Sequence, residues 1–381
     1  MLQLSSLHTE IGKLAKKLSE RQKEAARTLD ELCKLLSESN GLQENWYALP
    51  EDDRKSAAVP LEEPGLKYAL PKRPAELTLC ASDGSQILPD RNLNIDFFLL
   101  NISQICFQLG TVEPPKLDAR SRLYSTDDYP ALGLTNENGE AISTSPEIVA
   151  AIRQEQELGE LFKLAYAERR PGRPVLALAD GTLIFWHLKN LRDKTLQQRF
   201  ITDYINLFEK FRLETLPVAS YLSFPGGKDV MQSLKLLFSG KLEDASALAW
   251  LRDRDLFYRY LKPGERSALF ATSSESMIDY KDEDKIFFFY LHTGREIARV
   301  ELPKWCAERD GRLIDLMHAA IYDDLQKGGG YPMTLTEAHE HAVVKPREHE
   351  QILHLLERAC DREGFSMTHS AKSHSKRSAQ I

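Results

Sequence analysis

LCASDGSQILPD (residues 79–90) and LALADGTLIFWH (residues 176–187) share one construction: an apolar, strand-like run that ends in Asp-Gly and a hydroxyl residue. Asp-Gly after such a run is a strong hairpin signal, so two ordinary turns are one reading. The other is that two strand ends deliver Asp83 and Asp180 to one place. If those strands are neighbours in a sheet, the carboxylates converge.

Working outward, a strand is expected over 76–82, and RNLNIDFFLLNISQICFQLG (91–110) supplies one or two more buried strands. Residues 111–143 form a polar stretch with turns. SPEIVAAIRQEQELGELFKLAYAERR (145–170) is a helix, with Ser145 as its cap, Pro146 in the first turn and Glu147 where the dipole favours an acid. A helix at 192–213, the strand LPVASYLSF (216–224), the loop PGGKD (225–229) and a helix from Val230 continue the β-α-β succession of an α/β core. Residues 241–279 are polar and helical. KIFFFYLHTGREIARVELPKW (285–305) is a hairpin around His292–Gly294. In its second strand Ala298, Val300 and Leu302 face the core, while Arg299 and Glu301 face a cleft. Helices at 306–328 and 334–344 flank a glycine run.

At the N-terminus, residues 5–38 carry Leu7, Ile11, Leu14, Leu18, Ala25, Leu29, Leu32, Leu35 and Leu36 at helical spacing. This amphipathic helix, long or broken, presents a stripe for its own core or for a partner. Residues 40–74, rich in proline and charge, form a linker or wrapping segment.

Length and composition set wide bounds. The 381 residues make one large or two intimately packed domains, and 42% hydrophobic with 28% charged residues is ordinary for a soluble protein. Cys33, Cys80, Cys106, Cys306 and Cys360 are scattered and never C-x-x-C, which supports neither a disulfide framework nor a cysteine zinc site. A reducing cytoplasm is the expected compartment, with no signal peptide and no membrane span. The net charge of −7 argues against nonspecific coating of nucleic acid, although residues 368–381 form a basic tail with Lys372, Lys376 and Arg377.

Carboxylates gathered from separate elements are what hard divalent cations require, and such ions hold the attacking water and leaving oxygen in phosphodiester cleavage. Asp83 and Asp180 are two. For a third, the helix at 145–170 offers Glu157, closest to the stripe of Leu158, Leu161 and Leu164, and Glu160 at its margin; Glu155 lies furthest away. AHEHAVVKPREHEQILH (338–354) invites a zinc-protease reading, but His349-Glu350 reaches His354 at i+5 where i+4 is required. His339, near the start of its helix after a glycine-rich entry, is placed to reach a phosphate or metal. No G-x-x-x-x-G-K-[ST] occurs, so any ATP-driven translocation belongs to another chain.

ASDGSQILPD (81–90), LALADGTLIFW (176–186), FFFYLHTGREIARVELPKW (287–305) and GGGYPMTLTEAHEHAVV (328–344) resemble, in that order, the motifs of the NurA nuclease family. DRDLFYRYLKPGERSALFATSS (253–274) and SHSKRSAQI (373–381) resemble segments of its bacterial members. The resemblance implies an RNase H-like α/β core, a mixed β-sheet flanked by helices, over residues 75–367, preceded by the N-terminal helix and linker (1–74) and followed by the tail. It implies a nuclease dependent on one or two Mn²⁺ or Mg²⁺ ions that cuts single-stranded DNA and digests DNA ends. It further implies a homodimer that works with a HerA-type hexameric DNA translocase in end processing, repair or defence. Asp83, Glu157, Asp180 and His339 match the catalytic and metal-binding positions, and Lys228 matches a basic nucleic-acid-binding position after the third strand. The second motif reads DGT where DGS is typical, and ERRPGRP (168–174) lengthens the gap before Asp180, which leaves Glu160 as an alternative to Glu157. A noncatalytic adaptor of the translocase and an RNase H-like enzyme acting on RNA are the competing readings.

Overall fold

The computed structural model describes residues 4–90, 92–135, 139–142, 144–185, 193–242, 246–272, 277, 279–309 and 311–368; the basic tail from 369 lies outside them. The chain begins with α1 (Leu4–Glu38), α2 (Leu42–Ala48), α3 (Glu51–Arg54), β1 (Val59–Pro60) and β2 (Lys67–Tyr68). Next come β3 (Leu77–Ser82), β4 (Gly84–Ile87), β5 (Phe97–Leu109), β6 (Lys116–Ser125), α4 (Pro146–Ala167), β7 (Val175–Asp180), α5 (Lys194–Leu213) and β8 (Val218–Ser223). The remainder is α6 (Asp229–Leu237), α7 (Asp253–Tyr260), β9 (Arg266–Ser267), β10 (Phe270–Ala271), β11 (Ile286–His292), β12 (Ile297–Pro303), α8 (Lys304–Arg309), α9 (Gly311–Lys327), α10 (Met333–Ala342) and α11 (Pro346–Arg362). Among the described residues no helix is long and apolar enough to cross a membrane.

Two compact units arise. One comprises Pro74–Asp180, Ile184–Val218 and the chain from Lys327. Its sheet runs β6–β5–β3–β7: β5 is antiparallel to both β6 and β3, and β7 is parallel to β3. An antiparallel meander followed by a helical crossover to a parallel neighbour is the order of an RNase H-like core, and helices flank the mixed sheet as expected. β3 is buried along its whole length, as a central strand must be. Sequence pattern did not disclose β6, a ten-residue strand inside the stretch expected to be turns, because its first eight residues are exposed and show no apolar alternation.

The Asp-Gly at 83–84 is no hairpin turn. Ala81 pairs with Ile105 and Gly84 with Ile102, so β3 and β4 run past Asp83 along the same strand β5 in unbroken register. An alanine Cβ at 84 would lie 2.6 Å from Glu157 Oε1, which is why glycine stands there. After Asp180 the chain does turn, with Gly181 at φ 77° in the left-handed region that favours glycine.

The other unit comprises Met1–Arg73, Gly181–Leu183 and Ala219–Gln326. α1 is a single helix of 35 residues. Its C-terminal half enters a core through Ala25, Leu29, Leu32 and Leu36, against α6, α7 and β11, while Ile11, Leu14 and Leu18 stay exposed. Of the two readings for residues 40–74, a linker or a wrapping segment, the second agrees with the short helices and two strands found there, β1 on β10 and β2 on β9. The hairpin β11–β12 is present, but β12 is buried on both faces. Arg299 and Glu301 therefore line no cleft: they pair with each other at 2.9 Å, and Arg299 reaches Asp229 at 2.7 Å.

Candidate functional site

Ser82 of β3 and Ala179 of β7 are parallel partners, so the residues that follow them, Asp83 at the β3–β4 junction and Asp180 at the end of β7, emerge side by side. α4 packs across these strands through Ile148, Val149, Ile152, Leu158 and Leu161, and this turns Glu157 toward them. The Glu157 side chain is only 19% exposed, and its Oε1 is buried without a hydrogen bond, 3.5 Å from Arg153 Nη1. Burial chiefly, opposed by the Arg153 guanidinium and reinforced by the charges of Asp83 and Asp180, pushes the Glu157 carboxyl up to about 8. Three acids thus gather beside the end of β7, and the charges of the two aspartates weigh on the buried Glu157.

α10 brings His339. The helix ends against the sheet, where carbonyls left over at its C-terminus need donors. Asn101 Nδ2 donates to Ala342 O at 2.7 Å, Ser85 Oγ donates to the same carbonyl, and Ser103 Oγ donates to Ala338 O at 2.7 Å. So anchored, His339 places Nδ1 3.0 Å from Asp83 Oδ2, while its ring stays 62% exposed. It occupies the last turn of α10, not the start expected from sequence, because the helix begins at Met333. Asp83 Oδ1 accepts from the Gly84 N–H at 2.8 Å, and Asp180 Oδ1 accepts from the Tyr331 hydroxyl at 2.7 Å.

Glu160 points elsewhere: it accepts from Gln104 at 2.6 Å and from Lys163 at 2.6 Å. Glu155 faces Arg199, 3.9 Å away. Lys228 belongs to the other unit, where it precedes α6 and its ammonium donates to the Ala249 carbonyl. Two neighbours escaped the sequence reading. Arg153 also donates to Gly84 O at 2.6 Å, and its place four residues before Glu157 on one helical face was a legible signal. Tyr331 sits inside the quoted motif, with no local pattern to mark it. The hydroxyls after each Asp-Gly serve as anchors: Ser85 on Ala342, and Thr182 on Glu301 at 2.8 Å within its own unit.

Among the described residues no group of three or more His, Cys, Asp or Glu is already arranged to hold a metal ion. The aspartates are occupied by His339 and Tyr331, and Arg153 stands by Glu157. The donors themselves, three carboxylates with an orphaned buried oxygen among them, suit a hard cation.

A search of curated proteins finds no match. Among solved structures, the NurA nuclease from Sulfolobus solfataricus is similar at 14% identity and a TM-score of 0.51, with 92% of this chain and 98% of that chain covered. A second NurA crystal structure aligns at 12% identity and a TM-score of 0.42, covering 91% of this chain and 96% of that one, and adds no argument at that score. The first likeness establishes the shared fold. The NurA domain model matches residues 77–344, which include Asp83, Glu157, Asp180 and His339. The chain belongs to the NurA domain family.

Proposed function

We propose that this protein is a metal-dependent deoxyribonuclease that cuts single-stranded DNA and digests DNA ends, with Asp83, Glu157 and Asp180 as its metal ligands. The observation that carries the reading is the convergence of these three acids, in which Glu157 ionises against the charge of the other two and a cation would relieve the repulsion. Family membership and the likeness to the NurA nuclease from Sulfolobus solfataricus support it.

Bound Mn²⁺ or Mg²⁺ would supply Lewis-acid stabilisation of charge on the phosphate and lower the pKa of the attacking water. The chain's own residues prepare that chemistry. Asp83 and Asp180, fixed by sheet register, present carboxylates at one strand end. Glu157, in its ionised form, would hold the ion together with them. His339, exposed and hydrogen-bonded to Asp83, would ligate a metal or orient the phosphate. Tyr331 orients Asp180, and Arg153 neutralises part of the acid cluster. Lys228 would add salt-sensitive contact to the DNA backbone without base readout.

The partners in this reading are a second copy of the chain and a HerA-type hexameric translocase that feeds DNA, in end processing, repair or defence. End-labelled single- and double-stranded DNA, beside RNA of matched sequence, should be incubated with purified protein and Mn²⁺, Mg²⁺ or chelator. DNA cleavage that needs metal is the expected result. Cleavage of RNA alone, or no cleavage of either polymer even with the translocase added, overturns the reading.

A further inference from the structure

Cys80 and Cys106 face each other across β3 and β5, and both are fully buried. Their pairing type follows from the ladder. Ser103 donates its N–H to Asp83 O at 2.8 Å, which makes Asp83–Ser103 a hydrogen-bonded position. Such positions alternate along an antiparallel pair, so in the unbroken register Ala81–Ile105 is hydrogen-bonded and Cys80–Cys106 is not. At non-hydrogen-bonded positions the Cα atoms approach to about 4.5 Å with both side chains on one face, and that separation lies inside the range a disulfide spans.

The neighbours leave the thiols to each other. Across β7 the partner of Cys80 is Ala177, too small to intervene, and across β6 the partner of Cys106 is Lys116. Among the described residues the other hydrogen bond at Cys106 is from Gln108 Nε2 to Sγ at 3.4 Å. A hydrogen bond with Cys106 and burial hold the Cys80 thiol well above its ordinary pKa, so at neutral pH Cys80 rests as a thiol. β6, exposed over most of its length, is the edge through which fraying would admit an oxidant to Cys106.

We propose that Cys80 and Cys106 form an oxidative modification site that closes into a cross-strand disulfide when local opening of the strand pair lets peroxide reach one of them. One thiol is oxidised by peroxide to a sulfenic acid with release of water; the second thiol attacks that sulfur, and the S–S bond forms as a second water leaves. The bond would tie together the two strands that position Asp83 and Ser103.

The test is peptide mapping of the full chain after hydrogen peroxide treatment under native conditions and, in parallel, after refolding in a glutathione redox buffer, with free thiols blocked by N-ethylmaleimide. The expected product is a Cys80–Cys106 linked peptide pair, lighter than the two thiol peptides by about 2 Da, reversible by dithiothreitol and absent from Cys106→Ser. Its appearance in the native arm supports the site; its appearance in the refolding arm alone shows that the folded protein excludes the oxidant and overturns the proposal. Recovery of both cysteines as maleimide adducts in both arms, or linkage of Cys80 to Cys33, Cys306 or Cys360 instead, overturns the proposal.

Discussion

Gly84→Ala should damage this protein twice, in stability and in catalysis. The new Cβ would lie 2.6 Å from Glu157 Oε1, 2.7 Å from Ile102 Cδ1 and 3.0 Å from Arg153 Cγ. None of these neighbours yields freely: Ile102 is buried in β5, Glu157 and Arg153 project from a helix fixed by its apolar face, and Arg153 is also bound to Gly84 O. Overpacking of a well-filled site costs about 1–3 kcal/mol, and the midpoint of urea unfolding should fall accordingly. The atom displaced first is the carboxylate oxygen, and a shift of about 1 Å in a positioned catalytic group costs on the order of a hundredfold in rate. Cleavage of labelled DNA with Mn²⁺ should fall by that order while circular dichroism remains native. Gly181→Ala is the comparison: φ there is 77° and no neighbour lies within 4 Å, so the cost is backbone strain of about 1–2 kcal/mol without a clash. A Gly84→Ala protein as stable and as active as wild type would refute the packing of Glu157 against this strand.

Tyr331→Phe removes the donor to Asp180; with Asp180 exposed, the expected loss in cleavage rate is about tenfold, from the low end of the range for hydrogen bonds to charged groups, with little change in melting temperature. Equal rates would end the positioning role of Tyr331. Along α1, Leu32→Ala should cost about 2–5 kcal/mol because Leu32 is fully buried, whereas Leu14→Ala, at a 56% exposed position, should stay within about 0.5 kcal/mol. Denaturation midpoints decide it, and equal losses would contradict the division of that helix. His318, buried with Nε2 2.8 Å from Gly264 O, has its pKa lowered to about 4, chiefly by burial. A depressed pKa means that the unfolded chain binds the proton first, so this contribution is complete above about 6.5 and is lost as pH falls toward 4. Unfolding free energies of wild type and His318→Gln should therefore converge across that window; a constant difference would contradict a neutral buried imidazole.

Most of the candidate site was legible in the sequence because short-range chemistry marks it. Two apolar runs that lead into Asp-Gly mark strands that carry an acid, and a helix whose stripe passes beside Glu157 announces which acid turns inward. Register was not legible: nothing local says that β3 and β7 are parallel neighbours, or that the first Asp-Gly continues a strand while the second turns. β6 escaped because an exposed edge strand has no buried face to impose alternation, and β12 misled because its polar residues alternate as a solvated face would, yet Arg299 and Glu301 are paired inside. Polar residues within the apolar run of β5 were a usable signal, since Asn101 and Ser103 hold the helix that carries His339.

The measurement that bears most directly on the central claim is Mn²⁺ binding, read from loss of the free-ion electron paramagnetic resonance signal, for wild type, Asp83→Ala and Asp180→Ala with native circular dichroism. If the two aspartates and Glu157 build one cation site, wild type binds Mn²⁺ and each single substitution abolishes or sharply weakens that binding. Binding that survives unchanged in both variants, or no binding by the wild type, would contradict the account.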